Sequence, residues 1–107
     1  MASLKAVIVD PDGTVRKAEV EDNLAAFQAV VGGYIEAVCG VDTTIYVNEE
    51  GLLMGLPYND AASLFAQRVL GLGVMLHGTA LILGPADGEG NDTHVHQSVA
   101  DYYILEN

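Results

Sequence analysis

The most reactive-looking stretch of the sequence is Asp10-Pro11-Asp12-Gly13-Thr14, which follows the apolar run Ala6-Val7-Ile8-Val9. Paired carboxylates at the end of a buried strand suit phosphoryl transfer. One attacks as nucleophile, the other moves a proton, and magnesium neutralises the phosphate. A second candidate is Asp92-Thr93-His94-Val95-His96. In an extended segment the imidazoles of His-x-His share a face, as a metal site needs. A third is the acidic, glycine-rich stretch Asp87-Gly88-Glu89-Gly90-Asn91-Asp92, which has the composition of a calcium loop.

Each candidate lacks the rest of its machinery. The strand followed by Asp-x-Asp-Gly-Thr resembles the first motif of the haloacid-dehalogenase phosphatases. That resemblance implies Asp10 as a phosphorylated nucleophile and Asp12 as the acid/base. The family also needs a downstream Lys for the phosphoryl group and a later acidic pair for the metal. The only lysines here are Lys5 and Lys17, both beside the motif. No acidic pair follows a suitable strand, and the chain is too short for a doubly wound core. Pro presets φ and Gly tolerates positive φ, so the segment is expected to be a hairpin turn. His94 and His96 would need a further converging ligand, and His77 lies in an apolar run with no fixed relation to them. Asp92 or Thr93 is read instead as a helix cap. The acidic loop lacks the closing Glu of a calcium loop. No phosphate-cradling Gly-Lys-Ser/Thr appears, Gly71-Leu72-Gly73 lacks the rest of a dinucleotide fingerprint, and no Ser sits in a nucleophile elbow. The reading is therefore no enzyme, no catalytic residue, no metal and no cofactor.

Composition sets the class. The 107 residues fit one domain, and the half that are apolar can build one modest core. No apolar run approaches the roughly 20 residues that span a bilayer. The N-terminus, Met1-Ala2-Ser3-Leu4-Lys5, does not read as a signal peptide. Cys39 is the only cysteine, which fits a reducing, cytoplasmic setting, and its neighbours suggest a buried thiol. Fifteen acidic residues face four basic ones, a net charge of −11. Such a field repels nucleic-acid phosphates and anionic lipids, and it attracts basic surfaces.

The elements that must position these residues follow from hydrophobic period. Lys5 to Asp10 reads as a buried strand and Thr14 to Val20 as an edge strand. Asp22 or Asn23 caps a helix over about residues 23–31, and Gly32-Gly33 ends it. Tyr34 to Cys39 and Thr43 to Val47 are strands, and Leu52 to Gly55 is expected to return as a short one. Asn59 or Asp60 caps a helix through about Leu70. Val74 to Leu83, apolar on both faces, reads as a central strand. Residues 85–92 are expected to form a mobile acidic loop and residues 93–107 a C-terminal helix. No repeat or linker divides the chain. The whole reads as a single domain over 1–107. Its class is α+β, with a single mixed or antiparallel sheet and about three helices, roughly ββαβββαβα.

Three segments are familiar together: Lys5-Ala6-Val7-Ile8-Val9-Asp10-Pro11-Asp12-Gly13, Val31-Gly32-Gly33-Tyr34-Ile35-Glu36-Ala37-Val38, and the stretch from Tyr46-Val47-Asn48-Glu49-Glu50-Gly51 to Leu56-Pro57-Tyr58-Asn59. Their order and spacing resemble a family of small uncharacterised proteins of actinobacteria, their phages and plasmids. The resemblance covers most of residues 5–85, and Leu81-Ile82-Leu83-Gly84-Pro85 fits it too. It implies a phage or mobile-element accessory protein and transfers no activity. The same segments mark an expected binding patch of Tyr34, Glu36, Tyr46, Asn48, Glu49, Glu50 and Asn59, provided their strands are neighbours. The leading expectation is an acidic protein that binds a host protein with a basic surface, in counter-defence or as an inhibitor of a nucleic-acid-processing factor. It would contact neither nucleic acid nor membrane and would work in the host cytoplasm. The alternative is a binder that sequesters a small nucleotide-like signal, although scarce Arg and Lys weigh against a phosphorylated ligand. A homodimer through an edge strand or the Tyr102-Tyr103 helix is left open by the sequence.

Overall fold

The computed structural model describes residues 2–104. The elements are β1 (Ser3–Val9), β2 (Val15–Glu21), α1 (Leu24–Val31), β3 (Ile35–Cys39), β4 (Thr44–Asn48), α2 (Asp60–Arg68), β5 (Ala80–Leu83) and α3 (Gln97–Tyr102). The strands form one sheet in the order β2-β1-β5-β4-β3. Every neighbouring pair is antiparallel. The α+β class, the single sheet and the helix number are as the sequence suggests.

Local chemistry explains most of the boundaries. The Asp10–Thr14 stretch forms the β1–β2 hairpin turn, with Gly13 at φ 93°. The Gly13 N–H donates to the Asp10 carbonyl at 3.0 Å, and the Asp10 N–H to the Thr14 carbonyl at 2.8 Å. Asn23 caps α1 by accepting from the Ala26 N–H, and Gly32 closes it in the left-handed region. In α2, Asp60 in the first turn and Arg68 in the last both suit the helix dipole.

The sheet is covered on both faces. Leu4, Ala6, Ile8, Val20, Leu81 and Leu83 pack against Phe27 and Val31 of α1. On the other face Val7, Val9, Ile45, Val47, Ala80 and Ile82 pack against Ala62, Phe65 and Ala66 of α2 and Val99 of α3. β5, in the middle, is buried along its whole length. It therefore shows the continuous apolar run of a strand covered on both sides.

Four details differ from the sequence reading. The strand expected over Val74 to Leu83 is confined to β5, and residues 74–79 are irregular, because the Leu76 backbone is spent on Ser63 and Asn59 rather than on a neighbouring strand. Leu52–Gly55 is turn rather than strand, so the order is ββαββαβα. Those residues lie between Gly51 and Gly55, too few to reach a partner strand. The C-terminal helix starts only at Gln97, because residues before it serve β1. The Val95 N–H donates to the Lys5 carbonyl at 2.9 Å, and the Lys5 N–H to His94 Nδ1 at 3.0 Å. β5 pairs only with Val7–Val9 of β1, so this segment takes over where β5 stops. The end of the expected 93–107 helix lies outside the described residues. Finally, Cys39 is exposed rather than buried. Ile35 packs on the α1 cluster, but Ala37 and Cys39 run beyond it along an edge strand.

One buried side chain ties the layers together. Asn59 is fully buried. Its Nδ2 donates to the Val9 carbonyl at 2.9 Å and to the Gly78 carbonyl at 2.8 Å. Its Oδ1 accepts from the Ala62 N–H, capping α2, and its backbone N–H donates to the Leu76 carbonyl. Asn59→Ala removes the cap and leaves two carbonyls without that donor. It should cost about 2–4 kcal/mol, read as a lowered urea midpoint. A shift below about 0.5 kcal/mol would show that the lock carries little.

Candidate functional site

The sequence-marked residues separate in space. Direct pairing sets Asn48 opposite Ile35 and Tyr46 opposite Ala37, while Glu36 lies opposite Val47. Paired residues share a face, so Tyr46 and Asn48 point to the α1 side and Glu36 to the α2 side. The expected convergence of Tyr34, Glu36, Tyr46 and Asn48 does not form, although β3 and β4 are neighbours. Tyr34 is exposed, and Tyr46 stacks on Phe27 at 5.4 Å between ring centroids. Asn59 lies in the core as the α2 cap and cannot reach a partner.

Asn48 is also a structural residue. Its Nδ2 donates to the Val31 carbonyl at 3.3 Å and its Oδ1 accepts from the Glu50 N–H at 2.8 Å. It thus joins the end of α1 to the Glu49–Glu50 turn. Gly33 lies so close that a Cβ there would meet Asn48 Nδ2 at 2.7 Å.

What does come together is a groove of about 520 Å³ on the α2 side of β3 and β4. Val38 and Val47 form its floor, Leu52 one wall, and Val74 to His77 the other. Glu36 and Glu49 stand at its rim, both exposed. The 74–78 wall is held by the core: the Leu76 N–H donates to Ser63 Oγ at 2.8 Å, and Gln67 Nε2 to the Val74 carbonyl. The turn wall approaches it closely. A Cβ at Gly51 would meet the His77 carbonyl at 3.0 Å, which calls for glycine there. Leu52 and Met75 of this lining are exposed, as are Leu53 and Met54 in the same turn as Leu52. The sequence reading missed them. For Leu52, Leu53 and Met54 the signal is an apolar run squeezed between Gly51 and Gly55, with no room to be buried.

A family model, a domain of unknown function termed DUF3846, matches residues 4–106. The chain belongs to the DUF3846 family. No curated protein and no solved structure matches it. Membership agrees with the resemblance to an uncharacterised family and assigns no chemistry to the groove.

The other candidate centres of this DUF3846 chain have structural partners. Asp10 Oδ2 lies 3.2 Å from the Arg16 guanidinium, and its Oδ1 accepts from Thr79 Oγ1 at 3.0 Å. Asp12 accepts from the Thr14 N–H at 2.8 Å, and that bond holds its carboxyl below the usual range. His94 faces Lys5, while His96 Nδ1 lies 3.8 Å from Asp42. Among the described residues, no three His, Cys, Asp or Glu side chains gather in a way that could hold a metal ion. Asp87 folds the acidic loop by accepting from the Asn91 and Glu89 N–H groups, which lower its pKa in that order. Tyr46 Oη donates to Asp92 at 2.7 Å and ties the end of that loop to the sheet.

Burial first, and then the Asp92 carboxylate, push the Tyr46 phenol well above its ordinary 10.0. Burial does the same to Tyr103. A raised folded-state pKa gives stability that is full below pH 10 and is lost as pH climbs beyond it. The urea midpoint should therefore fall steeply above about pH 10. Tyr46→Phe should flatten that fall; an unchanged slope would place the effect elsewhere.

Proposed function

We propose that this protein is a non-enzymatic accessory protein of a phage or other mobile element. In the host cytoplasm it binds a host protein with a basic surface through the Glu36–Glu49 groove, in counter-defence or to inhibit a nucleic-acid-processing factor. The groove carries this reading: carboxylates rim an apolar trough with exposed Leu52 and Met75 beside it, on a chain of net charge −11. Large exposed apolar side chains grouped at one place mark interaction surfaces, and Met adapts its shape to a partner. The surrounding charge speeds encounter with a basic face and disfavours acidic competitors. The resemblance of the three segments supports the mobile-element origin. The absence of catalysis is supported by the commitment of Asp10 to Arg16 and Thr79 and of Asp12 to the Thr14 N–H.

The direct test is cross-linking in host lysate, identification of the partner, and titration with purified components. Glu36→Lys combined with Glu49→Lys should weaken the complex by about tenfold or more, near 1.4 kcal/mol, and added salt should weaken the wild-type complex in parallel. A complex indifferent to both would refute the reading. For the enzymatic question, hydrolysis of a generic phosphoester should stay at the buffer rate for wild type and for Asp10→Asn alike.

A second reading, a binder of a small anionic ligand such as a nucleotide-like signal, is favoured by one observation. The fold brings Lys5, Lys17 and His96 to a cavity of about 480 Å³ between the β1–β2 hairpin and α3. Glu19 shares that cavity and opposes an anion there. Thermal-shift measurements with nucleotides discriminate the readings. Stabilisation that Lys5→Ala abolishes favours this one, and no stabilisation favours the protein binder.

A further inference from the structure

The ends of the sheet are unlike one another. β2 (Val15–Glu21) is studded with Arg16, Lys17, Glu19 and Glu21. Charges of both signs along an edge discourage pairing with another strand. β3, Ile-Glu-Ala-Val-Cys, carries Glu36 alone and has no Pro or Lys. Its hydrogen bonds can be sorted by parity. The Glu49 N–H donates to the Tyr34 carbonyl and the Gly40 N–H to the Thr43 carbonyl, both at 2.8 Å. The register of the ladder is constant between these points, so Tyr34, Glu36, Val38 and Gly40 aim their backbone groups at β4. The N–H and C=O groups of Ile35, Ala37 and Cys39 therefore face outward, with no backbone partner among the described residues.

This open edge borders the acidic groove. Glu36 and Val38 stand on the same side of β3 as the groove and line it. An extended chain laid along β3 would place alternate side chains beside them. A second copy of this protein suits the edge poorly, since each copy brings a net charge of −11. A basic segment suits it well. We propose that the partner adds an extended segment as a further strand on the outer edge of β3, with Lys or Arg side chains over Glu36 and apolar side chains against Val38 and Met75. This inference rests on the acidic-groove reading and specifies how that surface is used. Main-chain hydrogen bonds to Ile35, Ala37 and Cys39 supply affinity, and the groove selects the side chains.

The test uses the full chain labelled with nitrogen-15 and a Lys-Val peptide of about seven residues, Lys-Thr-Val-Thr-Lys-Thr-Val, a usual strand length that sets Lys and Val in turn along one face. A control peptide of the same charge carries N-methyl groups on alternate residues, which removes its pairing edge. The Lys-Val peptide should slow amide hydrogen exchange at Ile35, Ala37 and Cys39 by about tenfold or more at saturation, and the control should not. Glu36→Lys, an exposed substitution whose fold is checked by an unchanged melting temperature, should weaken peptide binding by about tenfold. Resonance shifts around Glu36, Glu49 and Met75 without protection of those amides would overturn strand addition and leave the acidic-groove reading standing. No binding of the Lys-Val peptide would also overturn strand addition, and the groove reading would then rest on the charge-reversal titration alone. Protection already present without peptide, with a dimer mass in sedimentation, would assign the edge to a second copy and overturn the proposal.

Discussion

The structure hangs on the buried amide of Asn59. Sequence-distant pieces must meet for the core to close: the end of β1, the start of α2 and the irregular segment before β5. All present backbone groups that cannot reach water. An amide side chain offers donors and an acceptor in one plane, and Asn59 uses them on Val9, Gly78 and Ala62. A buried polar network that is fully satisfied specifies one arrangement, because every alternative leaves a polar atom unpaired. Ser63, one turn along the same helix, extends the effect by holding Leu76. The wall of the groove is thus fixed by the core, and the surface can carry exposed apolar side chains without losing its shape.

A similar logic runs through the family-like segments. Gly33, Asn48 and Gly51 occupy places where chains approach too closely for a side chain, or where a turn needs an internal acceptor. Their chemistry serves backbone geometry. The exposed residues near them, Glu36, Glu49, Leu52 and Met75, stay at the surface around the groove. Polar residues marked by sequence therefore divide into buried structural amides and exposed carboxylates. Residue type alone does not make that division, since Asn is common in both settings.

Charge and topology reinforce each other at β3. The crossover through α1 delivers the chain to the far side of the sheet and leaves β3 as its last strand. An open edge on a neutral protein invites self-association. The strong negative charge of this chain opposes contact between copies while leaving the edge available to a basic segment.

The sequence by itself determined the class, the hairpin at Asp10–Thr14, helix caps narrowed to Asp22 or Asn23 and to Asn59 or Asp60, and the central position of the apolar run ending at Leu83. These are local effects of turn residues, helix capping and hydrophobic period, so they are legible along the chain. It also showed the acidity that any partner must answer. Only the tertiary structure decided the faces. The β3–β4 register put Glu36 on one side of the sheet and Tyr46 on the other, dismantling the patch that linear spacing suggested. Packing decided that Asn59 is buried, that Cys39 is exposed, and that Leu52 and Met75, twenty-three positions apart by subtraction of their numbers, stand around one groove. Register and long-range contact arise from pairing between distant segments, and a one-residue change in register reverses every side chain.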